Sequence, residues 1–381
     1  MARILVNNSL VSFPMGGINL WAITWVVGLR RLGHDVYLID ENEWNYSCFD
    51  NERGIWSQDY AYGLRVVQAL LDRYGLGDRW SFTDFDRKCH GLSRSRVDEL
   101  FRTADAFIDL EWGTSYDRAG NIPIRIFIDS EPGWGQIKIV QALDKGERLR
   151  DYHYFYTAGL NIGTEVCSVP TGGIEWRHVP TPVLLDHPAD DAPKSSGRFT
   201  TVMNWASGHN TYEYQGKNFG NKGLEFDRFI KLPQMIDEEI ELAVSGTPPI
   251  DRLIRNGWTV RDANEVARSV DTFRSYVERS KGEFSVAKNS FFETQCGWWG
   301  DRAGVYLSYG KPVVLQDAGF SRHIPCGEGL FAVSSVEEAA DAIGEINSDY
   351  RRHSHAAREL AEQYLCVEKV LGKLLSEVGI H

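Results

Sequence analysis

Two lysines, Lys217 and Lys222, stand five residues apart in a glycine-rich segment that precedes a predicted helix. Ammonium groups beside glycines and a helix N-terminus suit the two phosphates of a nucleoside diphosphate, because free backbone N–H groups there also attract anions. The alternative interpretation is a basic loop that is simply solvated. The spacing makes this segment a candidate site for a diphosphate.

Residues 297–320 form the densest candidate segment, with a glycine-rich turn, a helix that begins at Asp301, a stop at Gly310, a short buried strand and a second turn. The turn before such a helix and the turn after such a strand can share one edge of a parallel sheet, where open α/β sheets bind ligands. Trp298 and Trp299 are flanked by glycines and could contact a ligand there. The segment therefore predicts a second part of a binding site.

Carboxylates follow two predicted strands in the first half of the chain, Asp109 and Glu111 after one strand and Asp129 and Glu131 after the other. A carboxylate at that edge of a sheet could take the proton of an attacking hydroxyl group, as general-base catalysis requires. The competing interpretation is capping of the next helix, since Asp is favoured at helix N-caps. These four residues are the candidate catalytic groups.

Two adjacent glycines, Gly16 and Gly17, follow the first predicted strand and open the first predicted helix. Their N–H groups could face an anion or a sugar hydroxyl. The full Gly-x-Gly-x-x-Gly dinucleotide fingerprint is absent. A tight turn that needs glycine for steric reasons is an equal alternative.

Short aliphatic or β-branched runs alternate with stretches long enough for helices, which is the pattern of βα units in a parallel sheet. A polar, proline-bearing segment at residues 186–197 has the composition of a linker. We therefore predict an α/β protein with one domain over residues 1–190, a second over 198–350, and terminal helices over 351–381 that cross back to the first domain. The predicted strands are 3–6, 35–39, 106–110, 125–128, 154–157, 199–203, 240–244, 284–287, 312–315 and 330–333, and the predicted helices are 19–32, 223–232, 263–278, 301–309 and 335–346.

Composition and charge exclude several classes of protein. The 381 residues carry a net charge of −12, which repels nucleic acid and anionic membranes, so neither is expected as a partner. Six cysteines without a Cys-x-x-Cys pair indicate neither a zinc ribbon nor a disulfide scaffold, and no metal site is predicted. The N-terminus lacks the apolar core of a secretory signal, and no stretch approaches the ~20 apolar residues of a membrane span. We expect a cytoplasmic protein.

Taken together, the motifs resemble those of glycosyltransferases with the GT-B fold, in which two Rossmann-like domains face each other across a cleft. Lys217 and Lys222 resemble the Arg-x4-Lys-Gly pair that holds the donor diphosphate in retaining members. Gly310-Lys-Pro-Val-Val, followed by Asp317-Ala-Gly, resembles the Gly-x-Pro-Val-Val sequence and the donor-contacting turn of these enzymes. The likeness covers essentially the whole chain.

The N-terminal glycine turn and the Gly33-His34 pair resemble the opening of the acceptor domain, and residues 297–325 resemble a loosely characterised bacterial subgroup. The resemblance implies transfer of a sugar from a nucleoside-diphosphate sugar, which is a co-substrate rather than a cofactor, to an unidentified hydroxyl-bearing acceptor near Gly16 and Gly17. The implied donor-binding residues are Lys217, Lys222, Glu293, Trp298, Trp299, Asp301, Arg302, Asp317, Ala318, Gly319 and Phe320.

The chain departs from the family at the catalytic glutamates. Retaining members have two glutamates separated by seven residues, and the position of the second is Val305 here. Glu293 and Asp301 have that separation, but Asp301 lies about one helical turn from the expected place. Gln295-Cys-Gly-Trp resembles the inverting motif His-Cys-Gly-Trp without its histidine. The stereochemistry of transfer therefore stays open.

Two other functions are compatible with the same motifs. A nucleotide-sugar epimerase of the same fold would turn over the donor without any acceptor. A non-catalytic two-domain protein that binds a ligand or serves as a scaffold would not turn over the donor at all, and Val305 in place of a glutamate agrees with it. The oligomeric state, the donor sugar and the acceptor are not indicated by the sequence.

Overall fold

Two β-sheets, one in each half of the chain, organise the fold. The structure is a computed structural model that describes residues 1–42, 44, 47–110, 114–187, 197–206 and 212–381. We call residues 1–187 the N-terminal half and residues 197–381 the C-terminal half. The predicted boundary at residues 190–198 lies mostly outside the described residues and stays a prediction.

The N-terminal half contains an eight-stranded sheet in the order β10-β9-β8-β7-β1-β2-β5-β6, in which only the pair β5 and β6 is antiparallel. Its central strands are continuous apolar runs such as Ile4, Leu5 and Val6, which are fully buried because helices cover both faces of a parallel sheet. The strands are β1 (Arg3–Asn7), β2 (Asp35–Glu41), β3 (Cys48–Asp50), β4 (Ile55–Ser57), β5 (Trp80–Thr83), β6 (Cys89–Gly91), β7 (Ala106–Asp109), β8 (Ile124–Asp129), β9 (Tyr154–Thr157) and β10 (Trp176–His178), and the helices are α1 (Gly16–Arg31), α2 (Ala61–Arg73), α3 (Arg94–Thr103) and α4 (Trp134–Asp144), with a 3-10 helix at Thr114–Asn121.

The C-terminal half contains a six-stranded, wholly parallel sheet in the order β15-β14-β11-β16-β17-β18. Its strands, with the hairpin β12–β13, are β11 (Phe199–Asn204), β12 (Tyr212–Tyr214), β13 (Lys217–Phe219), β14 (Ile240–Ser245), β15 (Thr259–Asp262), β16 (Gly282–Ser285), β17 (Val313–Gln316) and β18 (Leu330–Val333). Its helices are α5 (Lys222–Phe226), α6 (Ile250–Arg255), α7 (Ala263–Val266), α8 (Val270–Arg279), α9 (Asn289–Thr294), α10 (Asp301–Ser308), α11 (Val336–Ser348), α12 (Tyr350–Leu360) and α13 (Val367–Glu377).

Two predicted helices differ from those observed. The single helix predicted over 263–278 is two helices, because the Ser269 hydroxyl accepts a hydrogen bond from the Thr272 N–H (3.2 Å) and thereby caps a new helix, α8. The helix predicted over 223–232 ends at Phe226 and continues as 3-10 turns. Both errors arise because capping and tight turns interrupt apolar patterns that a sequence reading joins.

The C-terminal helix α13 packs against α1 of the N-terminal half. A Cβ atom at Gly28 would lie 2.2 Å from the Val367 side chain, so the two helices approach as closely as glycine permits. The Arg31 guanidinium pairs with Glu368 (3.2 Å), and the Tyr156 hydroxyl donates to the Glu377 carboxylate (2.8 Å). The C-terminus thus ties the two halves together. None of the helices in the described ranges is long and apolar enough to cross a membrane.

Candidate functional site

A cavity of about 500 Å³ lies between the two halves, and we call it the cleft cavity. The first turn of α1, the end of β8 and the segment 181–187 form its N-terminal wall. The ends of β11 and β14 and the helix α10 form its C-terminal wall. The lining residues used below are Gly17, Ile18, Ser130, Glu131, Thr181, His187, Asn204, Ser245, Arg274, Asp301, Arg302 and Val305.

A second cavity, of about 880 Å³, lies within the N-terminal half along helix α4, and we call it the α4 cavity. Ile18, Ser130 and Glu131 line both cavities, so the two spaces meet at the turn after β8. Most of the remaining wall of the α4 cavity is apolar, with Phe127 and Ile128 of β8 as its floor. The site therefore has two compartments with one shared carboxylate.

Glu131 is the predicted catalytic carboxylate that faces both cavities. Its side chain is 46% exposed, and its carboxylate pairs with the ammonium group of Lys288 from the C-terminal half. This ion pair joins the two halves at the junction of the cavities. Glu111, another candidate base, lies outside the described residues.

Asp129 lies two residues before Glu131 and is buried. Its carboxylate accepts hydrogen bonds from the Glu131 N–H (3.1 Å), the Gln136 side chain (2.6 Å) and the Thr157 hydroxyl (2.7 Å). Burial raises the pKa of Asp129 to about 6, although the donors Gln136 and Thr157 stabilise its charge. These contacts fit a residue that holds the 129–136 turn and so positions Glu131.

Asp109, at the end of β7, is fully buried in a hydrogen-bonded group. Its carboxylate accepts a hydrogen bond from the Asn7 side chain (2.9 Å) and another from the Tyr152 hydroxyl. It lines neither cavity in the described part of the chain. Burial beside Asp109 raises the pKa of Tyr152, which therefore stays protonated and able to donate.

A group of buried charges lies behind the C-terminal wall of the cleft cavity. Arg302 lines the cavity, and its Nε lies 3.8 Å from the Glu283 carboxylate, beyond hydrogen-bond distance. The Lys222 ammonium lies 5.1 Å from the centre of the Trp298 ring. Among the described residues, Lys222 Nζ, Arg302 Nε and both Glu283 oxygens are buried without a hydrogen-bond partner. Such groups are costly unless a ligand or water satisfies them.

The electrostatics of this group follow from its burial. Burial, together with the nearby Arg302 charge, holds the pKa of Lys222 well below its usual range. Burial raises the pKa of Glu283 to about 7, although the Arg302 and Lys222 charges oppose the shift. An anion bound beside Lys222 would favour the protonated, charged form of this lysine.

Asp301 begins helix α10, and its carboxylate accepts a hydrogen bond from the Thr181 hydroxyl (2.8 Å). Burial raises the pKa of Asp301, whereas the Thr181 hydrogen bond lowers it. Val305, one turn further along α10, lines the cleft cavity. The retaining glycosyltransferases that the sequence resembles have a glutamate at this position. The cavity therefore presents an apolar side chain at that position.

The two predicted acceptor glycines have different surroundings. The Gly16 N–H donates to the Ala267 carbonyl (2.7 Å), and a Cβ atom at Gly16 would lie 2.2 Å from the Ser269 carbonyl oxygen. A Cβ atom at Gly17 would meet no atom within 4 Å, and Gly17 lines the cleft cavity. Gly16 therefore serves contact between the halves, and Gly17 borders the space for a ligand.

Several predicted donor-binding residues lie away from the cavities. Lys217 is exposed on the hairpin β12–β13, and the Glu293 carboxylate pairs with Arg228 (3.6 Å) at the surface. The side chains of Trp298 and Trp299 are buried in the core. In the described part of the chain, Lys217, Glu293, Trp298, Trp299 and the residues of the 317–320 turn line neither cavity.

The turn of residues 317–320 is a contact between the halves. The Asn161 side chain donates to the carbonyls of Gly319 (3.2 Å) and Gln295 (2.9 Å). The Asp317 carboxylate accepts from the Gly319 N–H (2.8 Å) and from Ser321, which stabilises the turn itself. Ala318 and Phe320 are fully buried. The turn therefore braces the halves on one side of the cleft.

Sequence reasoning did not find some residues that line the cleft cavity. Asn204 and Ser245 pair in register at the ends of β11 and β14, and the position of polar residues at strand ends was the available signal. Arg274 on α8 gave no such signal. His187 stacks on Tyr309 with ring centres 3.5 Å apart, and burial lowers its pKa to about 4, so the ring is neutral at pH 7.

No group of three or more His, Cys, Asp or Glu side chains in the described ranges is arranged to hold a metal ion. The chain has one Asp-x-Asp sequence, Asp84-Phe85-Asp86, in the turn between β5 and β6. There the Asp84 carboxylate accepts from the Lys88 N–H (2.9 Å) and contacts the His90 ring (2.9 Å). These contacts stabilise a hairpin.

Neither the protein-family profiles nor the curated protein sequences include a match to this chain. Solved structures do match over nearly its whole length. An α-glucosyltransferase in complex with UDP matches with a TM-score of 0.57 at 10% identity, over 99% of this chain and 100% of that one. The chain has the GT-B fold.

Two further GT-B neighbours agree. The Anabaena protein HepE, solved with UDP and glucose, matches with a TM-score of 0.57 at 11% identity over 99% of each chain. The avilamycin A biosynthesis glycosyltransferase AviGT4 matches with a TM-score of 0.53 at 13% identity, over 99% of this chain and 97% of that one. The predicted α/β architecture of GT-B type is confirmed. The α-glucosyltransferase has also been solved with UDP and DNA.

Proposed function

We propose that this protein transfers a sugar from a nucleoside-diphosphate sugar to a hydroxyl group of an acceptor. The observation that carries the proposal is the cleft cavity, where Glu131 from one half faces the cationic residues of the other. The GT-B fold supports it, since neighbours with this fold have been solved with UDP. In this proposal the donor occupies the cleft cavity.

The diphosphate of the donor would lie against Arg302 and the first turn of α10, with Lys222 behind them. Guanidinium groups and helix N-termini stabilise phosphate oxygens, and buried cations do so strongly because water does not compete. Lys222 and Arg302 retain unsatisfied polar atoms that a phosphate would satisfy. The leaving diphosphate would gain stabilisation as its negative charge develops.

In the transfer step the acceptor oxygen bonds to the anomeric carbon while the bond from that carbon to the phosphate oxygen breaks. In an inverting reaction Glu131 takes the proton of the acceptor hydroxyl. In a retaining reaction an oxygen of the leaving diphosphate can take that proton, so no protein base is needed. Action of Glu131 as the base would therefore indicate an inverting reaction.

Nucleotide binding to a Lys222→Met variant tests the donor site. We expect UDP, titrated calorimetrically, to bind the variant at least about tenfold more weakly, because a buried charge-assisted contact contributes roughly 1.5–3 kcal/mol. Lys231→Met removes an exposed lysine of the same half and serves as the control. UDP binding equal in the wild type and in Lys222→Met would overturn the assignment, provided that both proteins melt cooperatively.

Product analysis separates the alternatives. A nucleotide-sugar epimerase would convert the donor sugar to an epimer without an acceptor, which NMR of the donor would detect. A binding or scaffold protein would bind UDP without any turnover of the donor.

The net charge of −12 argues against a nucleic-acid acceptor. A gel-shift experiment with duplex DNA at low salt tests this expectation. Binding of the DNA would contradict it.

A further inference from the structure

The α4 cavity is large enough for a whole small molecule and is separate from the space that we assign to the donor. Its volume of about 880 Å³ lies near the upper end of the range for ligand pockets. It opens to Glu131, so a molecule bound there would meet the reacting centre with one end.

Helix α4 supplies one wall of this cavity with two parallel rows of side chains. Trp134, Lys138 and Ala142 follow each other at intervals of four residues, as do Gly135, Ile139 and Leu143. Residues four apart share one face of a helix, so both rows face the cavity. Apart from the Lys138 ammonium, this wall offers a ligand apolar surface.

The apolar surface continues from the cavity to the outside of the protein. Phe13 lines the cavity, and its ring contacts Trp56 with centres 5.5 Å apart. Trp56 is 54% exposed, and Trp44, which also lines the cavity, is 64% exposed. Exposed tryptophans at a cavity mouth are unfavourable in water alone and typical of a site for an apolar ligand.

The charged residues at the rim are mainly basic. Lys138, Arg148 and Arg150 line the cavity with one acidic rim residue, Glu147. The carboxylates at the inner end already have partners, since Asp129 accepts three hydrogen bonds and Glu131 pairs with Lys288. Arg150 is engaged with Tyr152, so Lys138 and Arg148 are the rim cations that favour an anionic group on the ligand.

We propose that the α4 cavity binds the acceptor and that this acceptor is amphipathic. An apolar ring system or chain fills the cavity, an acidic group lies at the rim beside Arg148, and a hydroxyl group reaches Glu131. The role as acceptor rests on the proposed sugar transfer. The chemistry of the ligand rests on the cavity alone and can be tested without a donor.

Two dyes of similar shape test this chemistry by fluorescence titration of the full chain. 1-Anilinonaphthalene-8-sulfonate has an apolar body and an acidic group, and N-phenyl-1-naphthylamine lacks the acidic group. Ala142→Trp fills the cavity from the α4 wall, Ala142→Met is a milder version, and Arg148→Glu reverses one rim charge. Asp144→Trp, at an exposed position on the same helix, is the control.

We expect one molecule of the sulfonate dye per chain, with affinity lowered at least about tenfold by Ala142→Trp and less by Ala142→Met. Arg148→Glu should weaken the sulfonate dye about three- to fivefold and leave the neutral dye unchanged. Binding of the sulfonate dye that is unchanged in both Ala142 variants would overturn the proposal that the α4 cavity is the binding site. Equal effects of Arg148→Glu on the two dyes would overturn the proposal that the ligand carries an acidic group.

UDP titration of the wild type reports the donor site separately. Failure to bind UDP would count against the proposed sugar transfer and not against the α4 cavity as a ligand site.

Discussion

The cleft cavity and the α4 cavity share the turn of Ser130 and Glu131 and differ in almost everything else. The cleft cavity is bordered by Asp301, Arg302 and Arg274 and lies beside the buried Lys222 and Glu283. The α4 cavity has an apolar floor and wall, with its charges at the rim. Charge is concentrated where the edges of two sheets meet, since strand ends and helix N-termini converge there. A single sheet edge with one helix leaves an apolar space.

Glu131→Gln tests the carboxylate that the two cavities share. If transfer is inverting, loss of a positioned base should lower kcat ~10²–10⁴-fold while UDP affinity changes little. Transfer to any accepted hydroxyl compound, measured at saturating donor, checks this. Glu165→Gln, an exposed substitution in the same half, is the control. A less than tenfold effect would show that Glu131 is not the base, and the same result for the other candidate carboxylates would indicate a retaining reaction.

The pH dependence of stability tests the burial of Asp129, which lines the α4 cavity. The pKa of Asp129 is raised from 3.8 to about 6, so the folded chain holds an extra proton between these values. The contribution of Asp129 to the free energy of unfolding should therefore fall by up to about 3 kcal/mol as the pH rises from 3.8 to 6.

Urea unfolding of the wild type and of Asp129→Asn at several pH values measures this contribution. The stability of the wild type relative to the variant should decrease between pH 4 and pH 6 and change little above pH 7. A difference between the two proteins that does not vary with pH would contradict the raised pKa.

Arg302→Met tests the assignment of the cleft cavity to the donor. Removing the guanidinium should weaken the binding of UDP by roughly 1.5–3 kcal/mol, or about 10- to 150-fold in affinity, because a charge-assisted contact is lost. The change also leaves Glu283 without its nearest positive partner, so the double variant Arg302→Met/Glu283→Gln is the appropriate comparison. We expect the double variant to regain melting temperature but not UDP affinity. Recovery of affinity would mean that Arg302 acts only on Glu283.

Gly16→Ala and Gly17→Ala locate the edge of the cleft cavity. A methyl group at Gly16 would collide with the Ser269 carbonyl, so that variant should lose about 1–3 kcal/mol of stability. A methyl group at Gly17 meets open space, and alanine should be neutral or stabilise the first turn of α1 by up to about 1 kcal/mol. Thermal unfolding compares the two. Equal destabilisation would show that both glycines serve the contact between the halves.

The candidate site was predictable in part. Glu131, Asp301 and Arg302 were identified because charged residues followed strands or opened a helix, and such positions share a sheet edge. The same reasoning grouped Asp109 and Asp129 with Glu131. It could not reveal that hydrogen-bond donors from Asn7, Gln136 and Thr157 would occupy the two aspartates.

The donor motif shows a second limit. Lys217 and Lys222 have similar sequence surroundings, but Lys217 lies on an exposed hairpin and Lys222 is buried beside Trp298. The 317–320 turn, which resembles a donor contact, instead receives Asn161 from the other half. The Asn161 contact with Gly319 joins residues 158 positions apart, and no local pattern encodes it.

The sequence by itself determined the α/β alternation and the glycine stops, because apolar periodicity and turn residues act over a few neighbouring positions. The GT-B architecture followed from the resemblance of its motifs to those of a known family. Only the tertiary structure decided which charged residues face a cavity, which are satisfied by buried donors, and where an apolar space opens along α4. Those outcomes depend on how the two sheets and the returning C-terminal helix pack against one another. Packing of that kind is a property of distant surfaces, and single residue types do not specify it.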